Sequence, residues 1–158
     1  MTDKITIKGT APKFDEQVLK QRQAARHNQY HLTSESFAVA RGEIAFEFLA
    51  NVINLANQGY ELSDKYPIAT SAMSYHAHMK KPSHVVHADL EALDEEEKQK
   101  YIADLERERE KYRQLVTAQL LQKAELAEAK KVADKQAKLL ADVQKEVNEL
   151  FGELVIPE

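Results

Sequence analysis

A mostly helical α+β fold is predicted by three observations. No glycine or proline occurs between Pro82 and Gly152, a stretch of 69 residues. From Asp94 it is rich in Ala, Leu, Glu, Lys, Gln and Arg, which lose least on entering a helix. A second segment, capped by Thr33 or Ser34 and stopping at Gly59, carries Phe37, Ile44, Phe46, Phe48, Leu49, Val52, Ile53 and Leu55 around most of a helical circumference. That distribution predicts a helix buried on several sides. From Ile68 to Lys80 the residues sort into two sets with the period of a strand. The expected architecture is a small sheet packed on the buried helix 34–58, plus a long C-terminal helix used for oligomerisation. By position this is a mixed α/β head over 1–93, a helical stem over 94–151 and a C-terminal tail over 152–158. Strand signals are too few for the barrel of an OB-fold.

The elements follow in order. Ile5 and Ile7 alternate with polar residues before Gly9, a short strand signal. After Pro12, residues 15–30 read as a polar helix whose large aliphatics are Val18 and Leu19. Within the buried helix, Glu43, Glu47, Asn51 and Asn54 form one wet stripe, since the Glu-x-x-His pattern of a di-metal centre is missing. In the strand 68–80, period two puts His76, His78 and Lys80 on one face and Met73, Tyr75 and Met79 on the other, the expected core face. Asp94 followed by three glutamates supplies an N-cap and negative charge at the positive end of a helix dipole.

A continuous helix from Asp94 to Phe151 would be about 85 Å long, whereas a compact domain of this chain length has a radius of gyration of about 15 Å. Such a helix folds back or finds a partner. Leu105, Tyr112, Leu115, Leu126, Leu140, Val143, Val147 and Leu150 recur at heptad spacing with Ala129 and Ala133 between them. They form the expected oligomer interface, in a dimer or tetramer. Charges three apart, from Asp104 to Arg113, decorate the solvated face.

Composition narrows the function. With no cysteine among 158 residues, disulfides and thiolate chemistry are excluded. Four glycines leave little material for a phosphate-cradling turn, and no serine elbow is present, so an enzyme is not expected and no cofactor is implied. Neither a secretory signal at Met1-Thr2-Asp3-Lys4 nor a run of about 18 apolar residues is visible, which predicts a cytoplasmic protein with no membrane partner. The net charge of −4 is unevenly spread. Residues 1–90 hold ten Lys/Arg against nine Asp/Glu, with all six histidines, and the rest hold twelve against seventeen. The near-neutral head is where an anionic partner is tolerated.

Two segments interleave cations, amides and aromatics. One holds Lys20, Arg22, Arg26, His27 and Tyr30; the other holds His76, His78, Lys80 and Lys81. Flat rings beside cations suit unstacked bases and phosphates, so these nine residues are the expected single-stranded nucleic-acid site. Solvated surface charge and helix-in-groove contact with a protein compete for the same residues. His76, His78, His84 and His87 also fall within twelve residues. A site of four imidazoles is uncommon for zinc, and contact residues are the expectation.

In Arg22, Arg26, Tyr30, His76, His78, Lys80 and Lys81, set beside a long acidic helix, the chain resembles the small phage-encoded single-stranded-DNA-binding proteins. These include the podovirus ones that act as RNA-polymerase cofactors. The resemblance implies non-enzymatic DNA binding, a polymerase or replication protein as partner, and the host cytoplasm of a viral protein. The other expectation is a helical adaptor or inhibitor acting only through protein contacts.

Overall fold

The computed structural model describes residues 5–157; the start Met1-Thr2-Asp3-Lys4, where the absence of a secretory signal was read, lies outside them. The fold is mostly helical α+β, with α1 (Glu16–Leu32), a 3-10 turn (Ser34–Ser36), β1 (Phe37–Gly42), α2 (Ala45–Asn57), β2 (Glu61–Leu62), β3 (Ala69–Ser71), β4 (Ser74–Lys80) and α3 (Ser83–Phe151). Among the described residues no helix is long and apolar enough to cross a membrane. The chain divides into two compact units: Lys13–Glu106, and the segment up to Pro12 together with Arg107 onward.

In the first unit β4 is the centre of an antiparallel sheet. β1 pairs along one of its edges, from Phe37 opposite Lys80 to Gly42 opposite Tyr75. β2 and β3 share the other edge. Tyr75, Ala77 and Met79 point toward α2, and Ala77 and Met79 are fully buried. With Ala40 and Phe48 they form the core, flanked by Val52, Leu55, Tyr60 and Tyr75. The period-two reading of this face therefore holds for Tyr75 and Met79.

Several expectations are corrected by the structure. The helix 34–58 is instead strand β1 followed by α2, and the break falls at Gly42, the weakest helix former after proline. Gly42 is required there, because a Cβ would stand 2.4 Å from the Phe48 backbone nitrogen. A short apolar run does not distinguish strand from helix by periodicity, and Ala40 and Gly42 are small where α2 lies close, Ala40 in the core with Phe48 and Gly42 against the Phe48 backbone. Nor is α2 buried all round: Phe48 is its one buried residue, while Phe46 is 80% and Ile53 61% exposed. Its amide and acid stripe secures local backbone, with Asn51 donating to the Arg41 carbonyl at 2.7 Å and Glu47 accepting from the Glu43 N–H at 3.0 Å.

The continuous strand 68–80 is a hairpin. Ser71 faces Ser74 across a two-residue turn in which Met73 has φ +63°, so Met73 projects into solvent and not onto the core face. The long helix begins at Ser83, not Asp94, one residue after Pro82. Asp94 is interior to it, and its carboxylate and carbonyl instead meet α1. The helix pair α1–α3 encloses Leu19, Tyr30 and Tyr101, with Phe14 against Tyr101 at 5.3 Å between centroids.

In the second unit residues 5–12 form no strand. They lie along α3, bending at Gly9 (φ +96°), held by Ile5 N–H to Gln122 Oε1 (2.9 Å), the Tyr112 hydroxyl to the Gly9 carbonyl (3.3 Å) and Arg109 to the Pro12 carbonyl (3.0 Å). With no strand edge beside them, their backbone groups take side chains of a helix as partners.

Candidate nucleic-acid interface

Helix α1 starts cleanly: Asp15, in extended conformation, accepts from the Gln17 N–H at 2.8 Å. Its cations, expected to face a nucleic acid, are matched with acids. Lys20 pairs with Glu16 at 3.3 Å. Arg22 meets Asp104 at 2.9 Å and Glu97 at 3.7 Å, above the Tyr101 ring. Arg26 meets Glu35 and His27 meets Asp94, both at 2.6 Å. Tyr30 is 2% exposed and donates to Asp89 at 2.6 Å, so its ring offers no free face to a base. Lys81 donates to the same carboxylate at 2.6 Å and lies 5.5 Å from the Tyr30 centroid. Arg22, His27 and Tyr30 thereby join α1 to α3.

The Tyr30–Asp89–Lys81 network has a pH signature. The Lys81 hydrogen bond, followed by that of Tyr30, holds the Asp89 carboxyl below the usual aspartate range. A carboxylate with a depressed folded value stabilises the fold above its unfolded pKa, and the contribution fades as pH falls through the folded value. Stability of the helix pair is therefore expected to drop below about pH 4, and Asp89→Asn should remove that part of the acid dependence. Melting curves over the acid range test this; an unchanged acid dependence in the variant contradicts it.

The histidines do not gather. His76 and His78 stand on β4 with ring centroids 6.4 Å apart. His84 and His87 lie on the first turns of α3, where His87 meets Glu91 at 3.3 Å. Among the described residues no group of three or more His, Cys, Asp or Glu is placed to hold a metal ion.

The sheet face away from α2 has a different character. The register sets Phe37, Val39 and Arg41 of β1 beside Lys80, His78 and His76 of β4. Tyr66, from the loop before β3, closes over them, 4.5 Å from the His78 centroid and 5.4 Å from that of Phe37. The Lys65 ammonium stands 5.5 Å from both the Phe37 and Tyr66 rings. Phe37, Tyr66, His76 and His78 are half-buried, whereas Arg41, Lys65 and Lys80 are exposed. These three cations form no ion pair among the described residues, although Glu61 of β2 is opposite Lys80 in the register. His78 Nδ1 is buried without a hydrogen-bond partner. At the Lys80 end the face opens into a cleft of about 700 Å³, which Phe37, Glu61, Lys80, His31, Pro82 and Val86 help to line.

Of the expected site residues, His76, His78 and Lys80 come together on this face; Arg22, His27, Tyr30 and Lys81 lie where α1 meets α3, Arg26 pairs with Glu35 of the 3-10 turn, and Lys20 is exposed beside Glu16. Phe37, Arg41, Lys65 and Tyr66 were missed. The alternation of Phe37, Val39 and Arg41 up to Gly42 was a strand signal that could have found the first two. The chain matches no protein-family model, no curated protein and no solved structure.

Proposed function

We propose that the protein is a non-enzymatic binder of single-stranded nucleic acid, acting in the cytoplasm as a homo-oligomer. One observation carries this reading: four half-buried rings, Phe37, Tyr66, His76 and His78, share one sheet face with three exposed, unpaired cations. A base presents a π-face to the rings, and the backbone phosphates meet Arg41, Lys65 and Lys80. Duplex DNA hides its base faces, so single strands bind more tightly and with little sequence preference.

Titration of a labelled oligonucleotide, single-stranded and then duplex, tests the proposal. Tyr66→Ala should cost about 1–3 kcal/mol, or about 5- to 150-fold in Kd, with the salt slope nearly unchanged. Tyr66→Phe should retain the affinity. Lys80→Ala should weaken binding across sequences and reduce the salt slope by about 0.7, the value for one phosphate contact on a single strand. Arg26→Ala, which acts on a residue paired with Glu35, should matter less than Tyr66→Ala. Binding that ignores Tyr66 and Lys80 would place the site elsewhere.

A second reading, an adaptor or inhibitor working only through protein contacts, is favoured by the outward stripe of α2. There Phe46, Leu49 and Ile53 are all more than half exposed. If no oligonucleotide binds even at low salt, that reading takes over. In the first reading the stripe is where a polymerase or replication protein is recruited.

A further inference from the structure

Within the second unit, the cover supplied by residues 5–12 reaches Gln122, and every α3 residue from Lys123 to Phe151 is exposed. An apolar stripe nevertheless continues along this bare stretch. From Leu126 to Leu150 it advances in alternating steps of three and four residues, apolar at every step but Gln136, the spacing of a helix-to-helix contact. Leu126 is 59%, Leu140 67% and Leu150 83% exposed.

The stripe is asymmetric about residue 138 in two independent ways. Its first half carries the small residues Ala129 and Ala133, and its second half carries the larger Val143 and Val147. Charge is divided in the same direction. Residues 123–137 hold four lysines against three acids, whereas residues 139–153 hold one lysine against four acids.

We infer that residues 126–150 of α3 pair with the same segment of a second copy of this chain, antiparallel and centred near Lys138. The inference rests on the homo-oligomer part of the reading above and not on nucleic-acid binding. Antiparallel pairing sets Ala129 against Val147, Ala133 against Val143 and Gln136 against Leu140, so the layers combine a small or polar side chain with a larger apolar one. Leu126 and Leu150 close the two ends. A parallel in-register pair would face alanine with alanine, leaving gaps, and glutamine with glutamine, burying two amides together. It would also set both acidic halves side by side, whereas the antiparallel pair sets each acidic half beside a basic one.

The chain has no cysteine, so single cysteines placed in the full-length protein report the orientation. A disulfide needs Cβ atoms within about 3.5–4.5 Å. Ala137→Cys lies beside the two-fold axis and should link to its own copy under air oxidation. Ala129→Cys and Val147→Cys should each fail to self-link, yet form a disulfide-linked dimer when the two variants are mixed. Non-reducing electrophoresis reads all four samples, and light scattering reads the unaltered chain. Self-linking of Ala129→Cys alone, absence of the mixed product, or a monomer in light scattering overturns the inference. Oligonucleotide affinity, measured separately, is unaffected by any of these results for orientation.

Discussion

Phe48→Ala is expected to cost the head about 3–5 kcal/mol, most of the stability of a small domain. Phe48 is the one buried residue of α2. Its ring stacks at 6.0 Å on Tyr75, and it fills the layer between α2 and the fully buried Ala77 and Met79. Truncation leaves a cavity that the surrounding strands cannot collapse into, since β1 and β4 are already paired along their length. Gly42→Ala probes the same contact from the other side. Its methyl would meet the Phe48 backbone nitrogen at 2.4 Å and the Phe48 Cα at 2.7 Å, atoms that remain when the ring is removed. The two substitutions should therefore both destabilise, and Phe48→Ala should not rescue Gly42→Ala. Hydrogen exchange at residues 37–80 under increasing denaturant reports this region apart from the long helix, whose ellipticity would dominate a whole-chain signal. A loss below about 1 kcal/mol for Phe48→Ala would mean that this core does not carry the head.

The double substitution Leu140→Asp with Val147→Asp is expected to dissociate the oligomer. Each large apolar side chain withdrawn from water contributes about 1.5–3 kcal/mol, and a two-fold pair loses four of them, about 6–12 kcal/mol. A micromolar dimer is held by only about 8 kcal/mol. The desolvation of four carboxylates opposes association further. Light scattering at micromolar concentration should change from oligomer to monomer. Circular dichroism should show helix lost with it, because a solvated helix with no packing partner is marginal. An unaltered chain that is already a monomer, or a double variant that keeps its mass, would refute the expectation. The charge segregation about residue 138 adds that association should weaken as salt rises, since complementary halves are screened.

The sequence by itself determined the long helix, because the absence of glycine and proline over 69 residues and the choice of helix formers are local properties. It determined which face of β4 is buried, because a period of two is also local. The small-to-large and basic-to-acidic asymmetry of residues 126–150 could equally be read from composition alone. Only the tertiary structure decided that residues 37–42 are a strand. Those residues suit either state, and the decision came from pairing with β4, some forty residues away. Only the tertiary structure decided which of the α1 side chains are already partnered. Arg22, His27 and Tyr30 take their partners 82, 67 and 59 residues along the chain, separations that no sequence window spans. The same applies to the aromatic face, where Phe37, Tyr66 and His78 come from two strands and a loop. A residue's type and spacing fix what it can do in a helix or strand, but whether its charge is paired or its ring is free depends on what folds against it.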